Sequence, residues 1–85
     1  VDFPNIKVHP NPAHNTVSIT FPELINTGDL FISIYDSTGR LVKCNSIREQ
    51  VNFVDVGQLA RGVYHYTIQN DSRQLINGKI VLHFG

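Results

Sequence analysis

The stretch Leu59-Ala60-Arg61-Gly62-Val63-Tyr64-His65-Tyr66-Thr67-Ile68 constrains this chain more than any other. A turn glycine opens directly into a run of strand-forming residues of alternating character. Side chains on a strand alternate at period two, so Tyr64, Tyr66 and Ile68 share one face and Val63, His65 and Thr67 the other. A leucine, a glycine and then a tyrosine at the head of a strand build a sandwich corner. The leucine plugs the end of the core, and the tyrosine ring packs behind it with its hydroxyl bonded back to loop backbone. This segment reads as a central strand on which the other elements must pack.

Those elements are strands and turns, with no convincing helical periodicity. Ile6-Lys7-Val8-His9 is a short alternating strand, stopped by Pro10-Asn11-Pro12, where the prolines hold the chain extended and offer no ladder donors. So short a strand, stopped by proline, reads as a sheet edge. Thr16 to Phe21 alternates with Val17, Ile19 and Phe21 inward, and Pro22 to Asp29 is a polar loop. Leu30 to Tyr35 places Leu30, Ile32 and Ile34 on one face and Phe31, Ser33 and Tyr35 on the other. Asp36-Ser37-Thr38-Gly39 is a tight turn, with Asp at its first position and Gly supplying the left-handed residue that returns the chain. Arg40 to Cys44 is then the return strand of a hairpin, and Asn45 to Glu49 a loop.

Gln50 to Val56 reads as a further strand, turned by Gly57-Gln58 into the corner. Asn70-Asp71-Ser72 turns the chain into a long last segment, Arg73 to Phe84. Asn77-Gly78 within it is a hairpin signal, but a hairpin there would leave two very short strands. One long strand with a bulge at Asn77-Gly78 is the expectation, glycine tolerating the positive φ of a bulge. Its Ile80, Leu82 and Phe84 share a face, and Lys79, Val81 and His83 point the other way. The whole reads as an all-β fold: a small immunoglobulin-like antiparallel β-sandwich of about seven strands. Its expected core includes Val17, Ile19, Ile32, Ile34, Leu59, Tyr64, Tyr66, Ile68 and Ile80, with Lys43 and His65 exposed.

Eighty-five residues make one domain, spanning 1–85, near the small end of what folds unaided. Seven basic residues balance seven acidic ones, and no window concentrates either sign, which argues against a nucleic-acid footprint or a polybasic membrane patch. No apolar run approaches the ~20 residues of a membrane helix. The chain starts at Val1 rather than Met, so it is expected to be a piece of a longer protein.

Chemistry-bearing clusters are absent from the sequence pattern. The single cysteine, Cys44, excludes an internal disulfide and reads as a small apolar side chain near a strand end. His9 and His14 lack cysteine or carboxylate partners at zinc spacing, and Pro10 and Pro12 prevent a helical pair. No Asp-x-Asp-x-Asp loop, nucleophile elbow or pair of carboxylates is present, so no cofactor, metal or catalytic residue is expected.

Five segments in order carry a family resemblance: His9-Pro10-Asn11-Pro12-Ala13; Ile34-Tyr35-Asp36-Ser37-Thr38-Gly39-Arg40-Leu41-Val42; Val54-Asp55-Val56; Leu59 with Gly62-Val63-Tyr64; and Gly78-Lys79-Ile80-Val81. Together the chain resembles the C-terminal sorting domains of proteins exported by the type IX secretion system of Bacteroidetes. That family shows a Tyr-Pro-Asn-Pro-Ala start, an Ile-Tyr-Asp hairpin closed by Gly-Lys/Arg, a Leu-x-x-Gly-x-Tyr corner and a basic-aliphatic closing strand. Here His9 stands where the family usually has tyrosine, and His83-Phe84-Gly85 lacks a terminal lysine or arginine.

The resemblance implies an export address on a larger passenger. It implies transit through the periplasm, recognition by the outer-membrane translocon, and delivery to the cell surface or medium. A sortase-like surface cysteine peptidase commonly removes such a domain and joins the passenger to anionic lipopolysaccharide. Pro10, Asn11, Pro12, Asp36, Gly39, Leu59, Gly62, Tyr64, Lys79 and His83 would carry the motifs or the recognition. The alternative is an adhesion or carbohydrate-binding module of the same fold, with Phe31 and Tyr35 as stacking rings on an outer face.

Overall fold

Alternation at period two, broken by turn residues, produces seven strands among the described residues. The structure, a computed structural model, describes residues 6–9, 15–21, 29–71 and 73–82. The strands are β1 (Lys7–His9), β2 (Thr16–Thr20), β3 (Leu30–Tyr35), β4 (Leu41–Ile47), β5 (Val51–Asp55), β6 (Gly62–Gln69) and β7 (Gln74–Leu82). They pair antiparallel throughout, in a three-stranded sheet of order β1-β2-β5 and a four-stranded sheet of order β4-β3-β6-β7. The arrangement is the expected β-sandwich, and β1 is at a sheet edge as its length and Pro10 foretold.

One apolar cluster joins the two sheets. Val17, Ile19, Phe21, Val54 and Val56 come from the first, and Leu30, Ile32, Ile34, Ile47, Tyr64, Ile68, Ile80 and Leu82 from the second. All the inward residues anticipated on β2 and β3 are buried, and His65 is exposed. Tyr66 and Leu59 are only half-buried, packed against the cluster rather than inside it. Lys43, expected exposed, is also half-buried, because the β3–β4 register sets it opposite Ile34 on the core-facing side of an edge strand.

Three sequence expectations give way to strand pairing. The return strand runs on to Ile47 instead of ending at Cys44, and Asn45 to Ile47 are ladder residues opposite Ile32, Phe31 and Leu30. A full-length partner in β3 outweighs the weak turn preference of Asn45 and Ser46. Cys44 is accordingly mid-strand and exposed, opposite Ser33, whose hydroxyl lies 3.7 Å from its Sγ.

The bulge is also elsewhere. β7 is one long strand, but the ladder passes unbroken through Asn77 and Gly78, opposite Thr67 and Tyr66. Gly78 has no positive φ, and the register shifts where Ile68 pairs Ile76 and Gln69 pairs Gln74, leaving Leu75 over. Gly78 is instead required for space. A Cβ there would lie 2.7 Å from Tyr66 Oη and 2.8 Å from its Cε2. The Tyr66 ring covers the glycine across the strands, a pairing that shields an edge backbone lacking a side chain.

Candidate functional site: one end of the sandwich

The corner that organised the sequence is built from backbone bonds. The Asp55 carboxylate Oδ1 accepts the Gly57 N–H at 2.9 Å, and the Leu59 N–H donates to the Val56 carbonyl at 3.1 Å. These close the turn leaving β5 and bring Leu59 against the core. Arg61 then clamps the turn: its Nη2 donates to the carbonyls of Leu59 at 2.9 Å and of Val56 and Gly57, both at 3.3 Å. Gly62 enters β6 at φ +151°, which side-chain-bearing residues rarely adopt. Tyr64 follows, 6% exposed, with its hydroxyl donating to the Ala60 carbonyl at 2.5 Å. That is the tyrosine corner read from Leu59, Gly62 and Tyr64. Arg61 was missed, since an arginine in a turn carries no pattern that separates a clamp from a solvated charge.

The β3–β4 turn is closed by Asp36. Its Oδ1 accepts from Thr38 Oγ1 at 2.6 Å, the Thr38 N–H at 2.9 Å and the Arg40 N–H at 3.0 Å, and its Oδ2 lies 3.2 Å from Arg40 Nε. The Thr38 hydroxyl first, and the Arg40 N–H next, hold the Asp36 carboxyl below its ordinary value. Gly39 takes φ +89°, the left-handed residue anticipated for the return.

Register brings these motifs together although the sequence separates them. Tyr35 pairs His65 and Gly62 pairs Leu82, so the Asp36–Gly39 turn, the Leu59–Tyr64 corner and the end of β7 lie at one end of the four-stranded sheet. Asn15 joins them from the other sheet, its carbonyl accepting the Val56 N–H at 2.7 Å. On the outer face next to this end, Leu41, Tyr35, His65 and Lys79 form one row across β4-β3-β6-β7, beside the opposed pair Val63 and Val81. Leu41 and Val63 are about half exposed, at 52% and 46%. Pro10, Asn11, Pro12 and His83, with Ala13, His14 and Phe84, lie outside the described residues. Phe31 and Tyr35 are both half-buried, on the same outer face as Ser33 between them. His9 Nδ1 lies 3.2 Å from Ser18 Oγ, whose hydroxyl donates to the His9 carbonyl at 2.9 Å.

Fold and site define a small immunoglobulin-like β-sandwich module, its scattered turn motifs gathered and closed at one end by a tyrosine corner. A family model described as the secretion system C-terminal sorting domain matches residues 7–83. The chain belongs to that family, the C-terminal sorting domains of type IX secretion. No curated protein matches it. The family is not an enzyme family, and membership implies interaction with the type IX system and export to the cell surface or beyond the cell.

Proposed function

We propose that residues 1–85 are a single sorting domain, the export address of a larger passenger protein, read by the outer-membrane translocon from the periplasm. The observation that carries this reading is the family match over residues 7–83 on a fold whose described turn and corner motifs share one end. In this reading Asp36, Gly39, Leu59, Gly62 and Tyr64 act indirectly, by fixing the shape of that end. Pro10, Asn11 and Pro12 complete the motif set. Lys79 contributes an outward side chain of the closing strand, where a partner can inspect it, and His83, outside the described residues, is the second candidate contact. Removal by a sortase-like surface peptidase, with transfer of the passenger to anionic lipopolysaccharide, follows recognition.

The test is a periplasmic reporter carrying an N-terminal export signal, produced in a type IX host with and without this domain at its C-terminus. The domain should move the reporter to the surface or medium. Equal export without it would refute the address role. Micromolar binding of the purified domain to a glycan array, lost on replacing Phe31 or Tyr35, would instead establish the carbohydrate-binding alternative.

A further inference from the structure

Four strands end the two sheets among the described residues, and three of them carry a device against further pairing. β1 is three residues long and begins with Lys7. β4 has a register shift at Val42 and points Lys43 toward the core side. β7 has the Leu75 irregularity, Lys79, and Gly78 under the Tyr66 ring. Short length, bulges, inward charges and lysines are how edge strands are kept from pairing with other chains. β5 has none of these: Val51-Asn52-Phe53-Val54-Asp55 contains no lysine, arginine or proline and pairs β2 in unbroken register.

The backbone phase of β5 fixes what its open edge offers. Phe21 N–H donates to the Gln50 carbonyl, and Val56 N–H to the Asn15 carbonyl, so the even-numbered residues turn their polar groups toward β2. Antiparallel alternation then turns the N–H and C=O of Val51, Phe53 and Asp55 outward. The donors flanking this segment are taken internally, Glu49 N–H by Asn52 Oδ1 and Gly57 N–H by Asp55 Oδ1. The same three residues carry the outer-face side chains, and Phe53 is 70% and Val51 45% exposed.

We infer that the β5 edge is a self-pairing surface, on which a second copy of this chain adds antiparallel about a two-fold axis through Phe53. In that register Phe53 meets the partner's Phe53, and Val51 meets the partner's Asp55. Each of these pairs exchanges both N–H and C=O, so every outward group of β5 is satisfied. The rings stack across the dyad on the outer face. The antiparallel sense sets the two Asp55 carboxylates at opposite ends of the pairing, whereas a parallel pairing would oppose them. Net charge of zero at pH 7 gives the two copies no mutual repulsion. A strand-to-strand contact of this length belongs with weak, transient interfaces, so association appears at high concentration.

Sedimentation velocity of the 85-residue chain, from micromolar to millimolar concentration, is the test, with amide hydrogen exchange read at both extremes. A rising sedimentation coefficient is expected, with exchange slowed selectively at Val51, Phe53 and Asp55 and not at Asn52 or Val54. Phe53→Lys should abolish both effects, while Val63→Lys, on the opposite outer face, should leave them. A chain monomeric at millimolar concentration overturns the inference. So does association that survives Phe53→Lys, or slowed exchange confined to β4 or β7.

Discussion

Replacing Gly78 with alanine isolates the role of the Tyr66 ring across β6 and β7. Away from close contacts, alanine in a strand interior is favoured over glycine by roughly 0.5–1 kcal/mol, because glycine loses more freedom on folding. Here the added methyl would stand 2.7, 2.8 and 2.9 Å from Tyr66 Oη, Cε2 and Cζ, whereas ordinary contact begins near 3.4 Å. The ring must move by roughly half an ångström or more, and overpacking of this kind costs about 1–3 kcal/mol. The steric effect outweighs the gain over that range, and Gly78→Ala should destabilise the domain by up to about 2.5 kcal/mol.

In a Tyr66→Ala background the obstacle is gone, and the same substitution should be neutral or stabilising by up to roughly 1 kcal/mol. Urea denaturation of the four chains closes this double-mutant cycle. An identical effect of Gly78→Ala in both backgrounds would refute the packing argument. NMR titration of the Tyr66 ring gives a second readout. Burial holds its phenol above the ordinary 10.0, and displacement by alanine should bring it back down. Since the raised group keeps its proton longer in the folded chain, wild-type stability should fall as pH rises above the ordinary phenol value.

The tyrosine corner should respond in two grades: Tyr64→Ala losing ~3–5 kcal/mol by emptying a buried ring site, and Tyr64→Phe only about 1 kcal/mol through the bond to Ala60. Equal melting of all three chains would remove Tyr64 from the core. Asp36, held below its ordinary value chiefly by the Thr38 hydroxyl, stabilises the fold above the unfolded carboxylate range and loses that contribution as pH falls through its folded value. Asp36→Asn should therefore lower melting near neutrality and flatten the acid limb of the melting-versus-pH curve; an unchanged limb would contradict this. Changing Lys79 and His83 together to alanine should impair reporter export while stability stays within about 0.5 kcal/mol. Normal export with unchanged melting would take both side chains out of the address.

The sequence by itself determined the strand inventory and the inward faces. Val17, Ile19 and Phe21, Leu30, Ile32 and Ile34, and Tyr64 and Ile68 were legible because strand periodicity assigns a face from spacing alone, and each is buried. It determined the corner and the β3–β4 turn for a related reason. Gly39 and Gly62 occupy backbone conformations that few other residues accept, and Asp36 bonds only its near neighbours. Local stereochemistry is written locally.

Tertiary structure decided everything that depends on which strand lies beside which. It extended β4 to Ile47, turned Lys43 toward the core and left Cys44 exposed in mid-strand, since a ladder partner outweighs the preferences of Asn45 and Ser46. It moved the irregularity from Asn77-Gly78 to Leu75, because Gly78 was needed flat beneath Tyr66 rather than bent. Arg61 became a clamp only where the turn carbonyls converged on it. The gathering of the described turn and corner motifs at one end, and the place of β5 at a sheet edge among the described residues, follow from sheet order and register. Those are relations between distant segments, and period and propensity describe only one segment at a time.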